Sequence, residues 1–110
     1  MEKNNTLQQL QEEYKNTIEG KLQHIRILID EMHKEVREED LKALRIDIHK
    51  MAGSAGLYGY MPVSDICKQF DMNLLKKIEH FRISPENTVW AKEFDTYFNE
   101  IKKAFSNPKG

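Results

Sequence analysis

His49-Lys50-Met51-Ala52-Gly53-Ser54-Ala55-Gly56-Leu57-Tyr58-Gly59 stands at the centre of the chain. At about 100° per residue, this stretch is the second half of a helix that we expect from about Asp40 to Tyr58. His49 falls nearly opposite the apolar stripe, so its side chain is predicted to face solvent. That stripe comprises Leu41, Leu44, Ile48, Met51, Ala55 and Tyr58.

The residues one helical turn after His49 are small. Helical side chains lean toward the N-terminus, so Ala52 and Gly53 would lie against the imidazole. A glycine inside a helix costs roughly 1 kcal/mol relative to alanine, yet Gly53, Gly56 and Gly59 follow in quick succession. Close approach of another helix, or a glycine cap, would explain part of this pattern but not a bare patch beside an exposed histidine. The pattern favours an imidazole that a bulky partner must reach, and neutral imidazole is a nucleophile near pH 7.

At these residues the chain resembles the histidine-containing phosphotransfer (HPt) domain. The resemblance rests on His49, Gly53-Ser54, Gly59 and Cys67, and it extends from about Leu7 to Phe105. It implies that His49 carries a phosphoryl group between the aspartates of response-regulator receiver domains in two-component signalling. It also implies a stoichiometric carrier without ATP binding or a cofactor, with magnesium expected on the receiver. A hybrid histidine kinase is a further candidate partner.

One position departs from the family pattern. Many members carry a lysine three residues after the histidine, where it can steady the phosphoryl group, and this chain has Ala52. Lys50 is about 100° away around the helix, and Arg45 leans away from the histidine. We interpret the change as one in phosphoryl lifetime or partner choice. It gives weight to an alternative, a non-phosphorylated HPt-like module that regulates a receiver or a histidine kinase; a plain helical adaptor is a weaker alternative.

Supporting residues are expected around His49. Asp71 stands where the family often has a glutamate or glutamine, and the resemblance suggests that it accepts a hydrogen bond from the imidazole; a solvated aspartate is an equally open interpretation. Arg45 is the second supporting residue. The predicted receiver-docking face comprises Arg45, Ile46, Ala52, Gly53 and Gly56, with Lys42 and Lys50 at its margin.

Length and composition limit the classes of protein. The 110 residues, 39% hydrophobic and 32% charged, suit one helical domain with one core. The net charge of -1, with both signs interspersed, disfavours nucleic-acid binding. The absence of a leader or of an apolar run near 18 residues predicts a cytoplasmic protein without membrane contact. We expect it to be a monomer.

Apolar residues recur at helical spacing, and no stretch predicts a strand. The first series, from Leu7 to Val36, fits one helix or two joined at Gly20. The charged run from His33 to Asp40 predicts a solvated turn, Pro62 fits the first turn of the next helix, and Ser84-Pro85-Glu86 predicts the start of the last one. The expected inner faces of these last two helices are Val63, Ile66, Cys67, Phe70, Leu74 and Ile78, and Val89, Trp90, Phe94, Tyr97, Phe98, Ile101 and Phe105.

These patterns together predict an all-α fold, an up-down antiparallel four-helix bundle with room for an additional N-terminal helix. We expect a single domain over residues 1–110, with its core in about 7–105 and a frayed tail at 106–110.

Other chemistry has little support in the sequence. No histidine follows a glutamate at the spacing of a di-iron site, so no metal site is predicted, and no glycine loop of a nucleotide-binding type occurs. His24, His33 and His80 lie among charged residues and are predicted to be simply solvated. Cys67 is predicted to be a buried structural thiol.

Overall fold

The computed structural model describes residues 6–84 and 89–106. Within them the chain forms four helices and no strand: α1 (Leu7–Lys34), α2 (Glu38–Leu57), α3 (Met61–Ile83) and α4 (Trp90–Ser106). α2 contacts α3 most extensively, and contacts of α1 with α2, α3 with α4 and α4 with α1 close the bundle. Short connections between contacting helices make them antiparallel neighbours. The all-α four-helix bundle is therefore confirmed. None of the helices in the described ranges is long and apolar enough to cross a membrane.

α1 is one continuous helix of 28 residues. It begins after Thr6, whose hydroxyl oxygen accepts a hydrogen bond from the backbone N–H of Gln9 at 3.2 Å, an N-cap that satisfies a free donor of the first turn. Gly20 lies inside the helix, where a Cβ would meet nothing within 4 Å. The helix does not break at Gly20, and residues 6–34 leave no place for a separate N-terminal helix.

The turn between α1 and α2 is shorter than the charged run predicts. α1 continues to Lys34 and α2 begins at Glu38, two residues before its expected start. Acidic residues, Glu38, Glu39 and Asp40, occupy the first turn of α2, where their charges are favourable at the positive end of the helix dipole. Val36 in the turn is buried, so the turn is not solvated throughout.

A glycine cap ends α2 at Leu57, one residue before its expected end. Gly59 has a φ of +85°, in the left-handed region that favours glycine. The N–H of Gly59 donates to the Gly56 carbonyl at 3.2 Å, and the N–H of Tyr60 donates to the Ala55 carbonyl at 2.8 Å. These are the two hydrogen bonds of a Schellman motif, which reverses the chain into α3.

α4 begins at Trp90 and ends at Ser106. Of Ser84-Pro85-Glu86, only Ser84 belongs to the described residues, and 107–110 of the predicted tail also lie outside them. Ser106 is still helical, so the tail does not begin there. Val89 is 71% exposed, and its predicted burial is wrong because it lies in the turn before the inner face of α4 begins.

The core lies along the axis of the bundle. Phe70 of α3 and Phe94 of α4 are fully buried, with ring centroids 5.5 Å apart. The other large side chains that are fully buried are Ile18, Ile25, Ile29, Met32, Leu41, Leu44, Ile48, Met51, Leu74 and Ile101. One side of α2 is therefore buried in the core, and its opposite side faces solvent.

A charged cluster joins α1 to α4. The Asp95 carboxylate accepts hydrogen bonds from Arg26 Nη2 at 2.6 Å and from His33 Nε2 at 2.7 Å, so His33 is not simply solvated as predicted. Burial acts to raise the pKa of Asp95, but the hydrogen bonds and charges of Arg26 and His33 outweigh burial and hold this pKa below its ordinary value. A carboxyl group whose pKa is lowered by folding stabilises the fold above its unfolded-state pKa. That stabilisation is lost as the pH falls through the folded-state value.

We expect Asp95→Asn to lower the free energy of unfolding at pH 7 by about 1 kcal/mol, and the difference from the parent to vanish well below about pH 4. Urea unfolding measured across this range tests both statements. Asp30→Asn is the matched control, because Asp30 is 60% exposed and its one ion pair within residues 6–84 and 89–106 is with Arg26, so its effect should be smaller. A constant difference at every pH would contradict the assignment.

Candidate functional site

His49 lies on the side of α2 that faces away from the core. Its side chain is 68% exposed, whereas Ile48 and Met51 beside it are buried. The imidazole Nδ1 lies 3.0 Å from Oδ2 of Asp71 on α3. Because a carboxylate can only accept a hydrogen bond, Nδ1 carries the proton, and in the neutral imidazole the lone pair is therefore on Nε2. The nitrogen available for chemistry is therefore Nε2.

Asp71 is held between His49 and Arg45. Its side chain is only 17% exposed, and its Oδ1 lies 3.1 Å from Arg45 Nε. This contact is an ion pair without hydrogen-bond alignment, since among the described residues neither atom has a hydrogen-bond partner. The interpretation of Asp71 as a solvated aspartate is therefore wrong. Asp71 thus links Arg45 to the imidazole of His49.

Two of the three glycines after His49 have a structural explanation. Gly59 caps α2, as described above. A Cβ at Gly56 would lie 3.2 Å from Oγ of Ser64 on α3, so the absence of a side chain lets the two helices approach closely. The predicted place of Gly56 on the docking face is thus corrected: it is turned toward α3.

Gly53 has no such explanation. A Cβ there would meet nothing within 4 Å, so neither packing nor a cap requires glycine at this position. Ala52, also predicted on the docking face, is only 7% exposed, so its methyl group does not protrude from the surface. The surface beside His49 therefore has no protruding side chain at positions 52 and 53. At Gly53 a larger residue would not disturb the packing of the fold.

The small residue after Gly53 anchors the helix to α1. The Ser54 and Tyr14 hydroxyl groups are 2.6 Å apart and hydrogen-bonded, with either one able to donate. The ring of Tyr14 also stacks on that of Tyr58 at 4.7 Å. In the Gly53-Ser54 pair, the serine therefore contributes to the packing of α2 against α1, and the glycine lies at the open surface.

An open cavity of about 410 Å³ surrounds His49. It is lined by His49, Ala52 and Gly53 from α2 and by Lys68, Asp71 and Met72 from α3. A second cavity of about 340 Å³ continues along the same pair of helices, where Ile46 and Leu75 line it together with Lys42, Arg45 and Arg82.

We call the surface over these two cavities the α2–α3 face. Its apolar centre is Ile46, Met72 and Leu75, which are 52%, 63% and 44% exposed. Its basic side chains are Lys42, Arg45, Lys68 and Arg82. Four of these residues are not among those predicted from the sequence: Lys68, Met72, Leu75 and Arg82. A signal was present: Met72 and Leu75 are apolar, yet they fall outside the inner face of α3.

Lys50 lies on the other side of His49. It lines a separate groove between α1 and α2 with Gly20, Lys21, His24 and Asp47. His24 Nδ1 pairs with the Asp47 carboxylate, so this histidine, like His33, is not simply solvated. Of the two lysines predicted at the margin of the docking face, Lys42 lines the α2–α3 face, whereas Lys50 lies outside that face, in the groove between α1 and α2.

Two predictions about other reactive side chains can be compared with the structure. Cys67 is fully buried, and burial, with a smaller contribution from the charge of Asp71, raises the pKa of its thiol to about 12. The prediction of a buried structural thiol is confirmed. His80 packs edge-on against Trp90 with ring centroids 5.8 Å apart, so it is not simply solvated either. Within residues 6–84 and 89–106, no group of three or more His, Cys, Asp or Glu side chains could hold a metal ion.

Comparison with known protein families gives one match. A family model described as Hpt domain matches residues 5–104, which include His49 and every residue that lines its cavity. No curated protein and no solved structure matches the chain.

Proposed function

Because the chain belongs to the Hpt domain family, we propose that His49 carries a phosphoryl group between the aspartates of receiver domains in a two-component phosphorelay. Hpt domains are phosphocarrier modules of such relays and not enzymes in the usual sense. The observation that carries the proposal for this chain is Gly53, a helical glycine with open space around it beside an exposed imidazole.

In the proposed acceptance step, Nε2 of His49 attacks the phosphorus of the receiver's aspartyl phosphate. The N–P bond forms, the P–O bond to the aspartate breaks, and the carboxylate leaves with the electron pair. The Nδ1 proton stays in the hydrogen bond to Asp71, whose negative charge offsets the positive charge that the ring gains. The donation step is the reverse reaction on the aspartate of another receiver.

Under the proposal, the receiver supplies the positive charge that phosphoryl transfer requires. Phosphoryl transfer depends on positioning and on neutralising charge, and magnesium held by the receiver performs the second task. The carrier then needs no ATP and no cofactor of its own. We propose that it acts as a monomer in the cytoplasm, with receivers and a hybrid histidine kinase as candidate partners.

The α2–α3 face is the proposed docking surface. An apolar centre of Ile46, Met72 and Leu75 can be covered by an apolar helix face of the partner. The four basic side chains around it outnumber the two carboxylates that pair with them, Glu38 and Asp71, and the positive charge that remains is complementary to carboxylates of the partner. Gly53 leaves the approach to Nε2 open.

The test is transfer from a panel of purified receiver domains, each phosphorylated beforehand with a small-molecule phosphodonor. We expect an acid-labile, base-stable label that peptide mapping places on His49. Receiver binding without any label would favour the non-phosphorylated regulatory module, to which Ala52 gives some weight. If the protein acquires no label and binds no receiver, the remaining interpretation is a plain helical adaptor.

Asp71→Ala should slow phosphoryl acceptance about tenfold. A hydrogen bond that involves a charged group contributes about 1.5 kcal/mol, and 1.36 kcal/mol corresponds to a factor of ten in rate. Rapid-quench measurement of label transfer from one receiver gives the rate. Asp47→Ala is the matched control, because Asp47 makes the same contact to His24 and should leave the rate unchanged. A parental rate for Asp71→Ala would contradict the role of Asp71.

A further inference from the structure

Lys68 is the unpaired cation in the cavity around His49. It projects from α3 at an exposed position and lines the cavity together with Asp71 and Met72. No hydrogen bond or ion pair joins its ammonium group to another residue of 6–84 or 89–106. Its charge is therefore available to a group placed in the cavity.

The other basic side chains of the α2–α3 face already have carboxylate partners. Arg45 is 3.1 Å from Asp71, while Lys42 and Arg82 lie 3.0 Å and 3.1 Å from the same Glu38 carboxylate.

A phosphoryl group on Nε2 would need such a cation. Phosphorylation of a side chain adds about -1.5 to -2 charges at pH 7, and here the charge would arrive beside Asp71, whose carboxylate oxygen is 3.0 Å from the same imidazole. On the α2 side the cavity is lined by Ala52 and Gly53, which supply no charge. A lysine ammonium on a flexible stem suits a phosphoryl group as a mobile point charge.

We propose that Lys68 binds the phosphoryl oxygens of phosphorylated His49 and thereby sets the equilibrium of phosphoryl transfer. The inference rests on the proposed function of His49. Lys68 stays protonated and donates N–H hydrogen bonds, so no bond to it forms or breaks. It interacts with the phosphorylated carrier and has no comparable contact in the unphosphorylated one. This difference shifts the equilibrium between phospho-aspartate on the receiver and phosphohistidine on the carrier.

The experiment is the transfer equilibrium between one phosphorylated receiver and the Lys68→Met variant at low ionic strength. We expect the equilibrium constant for His49 phosphorylation to fall about threefold to tenfold. The difference should shrink at about 1 M salt, where the Debye length is about 3 Å. The constant is measured between dissociated species, so a role of Lys68 in holding the receiver does not alter it.

Three further variants complete the design. Lys68→Arg should keep the parental constant. Lys50→Met should also keep it, because Lys50 follows His49 in sequence but lines the other groove. Lys68→Met combined with Ala52→Lys should recover part of the loss, since position 52 lines the same cavity. A salt-independent loss, or an equal loss in Lys50→Met, would overturn the inference.

Failure of the two proposals can be distinguished in the same assay. An unlabelled parent protein would refute the carrier function itself. A labelled parent with the same constant as Lys68→Met would refute only the role of Lys68.

Discussion

His49→Gln will accept no phosphoryl group from any receiver, although the bundle will remain folded. The glutamine amide has no lone pair of comparable nucleophilicity on nitrogen. The imidazole is 68% exposed and its hydrogen bond is to Asp71 at the surface, so its removal takes nothing from the core. We expect label at background level, with an unchanged circular dichroism spectrum and an unfolding free energy within about 0.5 kcal/mol of the parent.

The matched control for this prediction is His24→Gln. His24 is 58% exposed and pairs through Nδ1 with a carboxylate of the next helix, so it shares the chemistry of His49 but lies in a different groove. We expect His24→Gln to be labelled like the parent. Label that persists in His49→Gln and disappears in His24→Gln would move the carrier site to α1.

The helices and the exposed histidine could be predicted because each depends on the spacing of residues within one segment. Apolar spacing placed Ile48 and Met51 inside and His49 outside, and the structure agrees. The same reasoning failed for Val89, since periodicity does not say where a helix begins, and α4 starts only at Trp90.

The half of the site that comes from α3 could not be predicted in the same way. Lys68 and Met72 become neighbours of His49 only through the packing of α3 on α2, which depends on contacts such as that of Gly56 with Ser64. Asp71 was found because the family resemblance pointed to its position. Spacing alone could not separate a glycine that packs, such as Gly56, from one that faces open space, such as Gly53.

Gly53→Gln should lower the rate of phosphoryl transfer from a receiver about a hundredfold, the size of effect expected when reacting groups are displaced by about 1 Å. Glutamine is a better helix former than glycine, so the unfolding free energy should stay equal or rise by up to about 1 kcal/mol. Nothing lies within 4 Å of the new Cβ, and Gly53 lines the cavity beside His49, so we expect the longer side chain to occupy space that the receiver needs. Transfer rates by rapid quench and stability by urea unfolding measure the two effects.

A matched control separates blocked docking from damage to the helix. Gly20→Gln makes the same change in α1, also with nothing within 4 Å of the new Cβ, but in the groove on the other side of α2. We expect it to gain similar stability and to transfer at the parental rate. A small acylating reagent should still modify His49 in Gly53→Gln, because the imidazole and its contact with Asp71 remain. If the bare surface serves docking, Gly53→Gln will transfer slowly while its imidazole stays reactive. Normal transfer by Gly53→Gln would remove the main support for the carrier function.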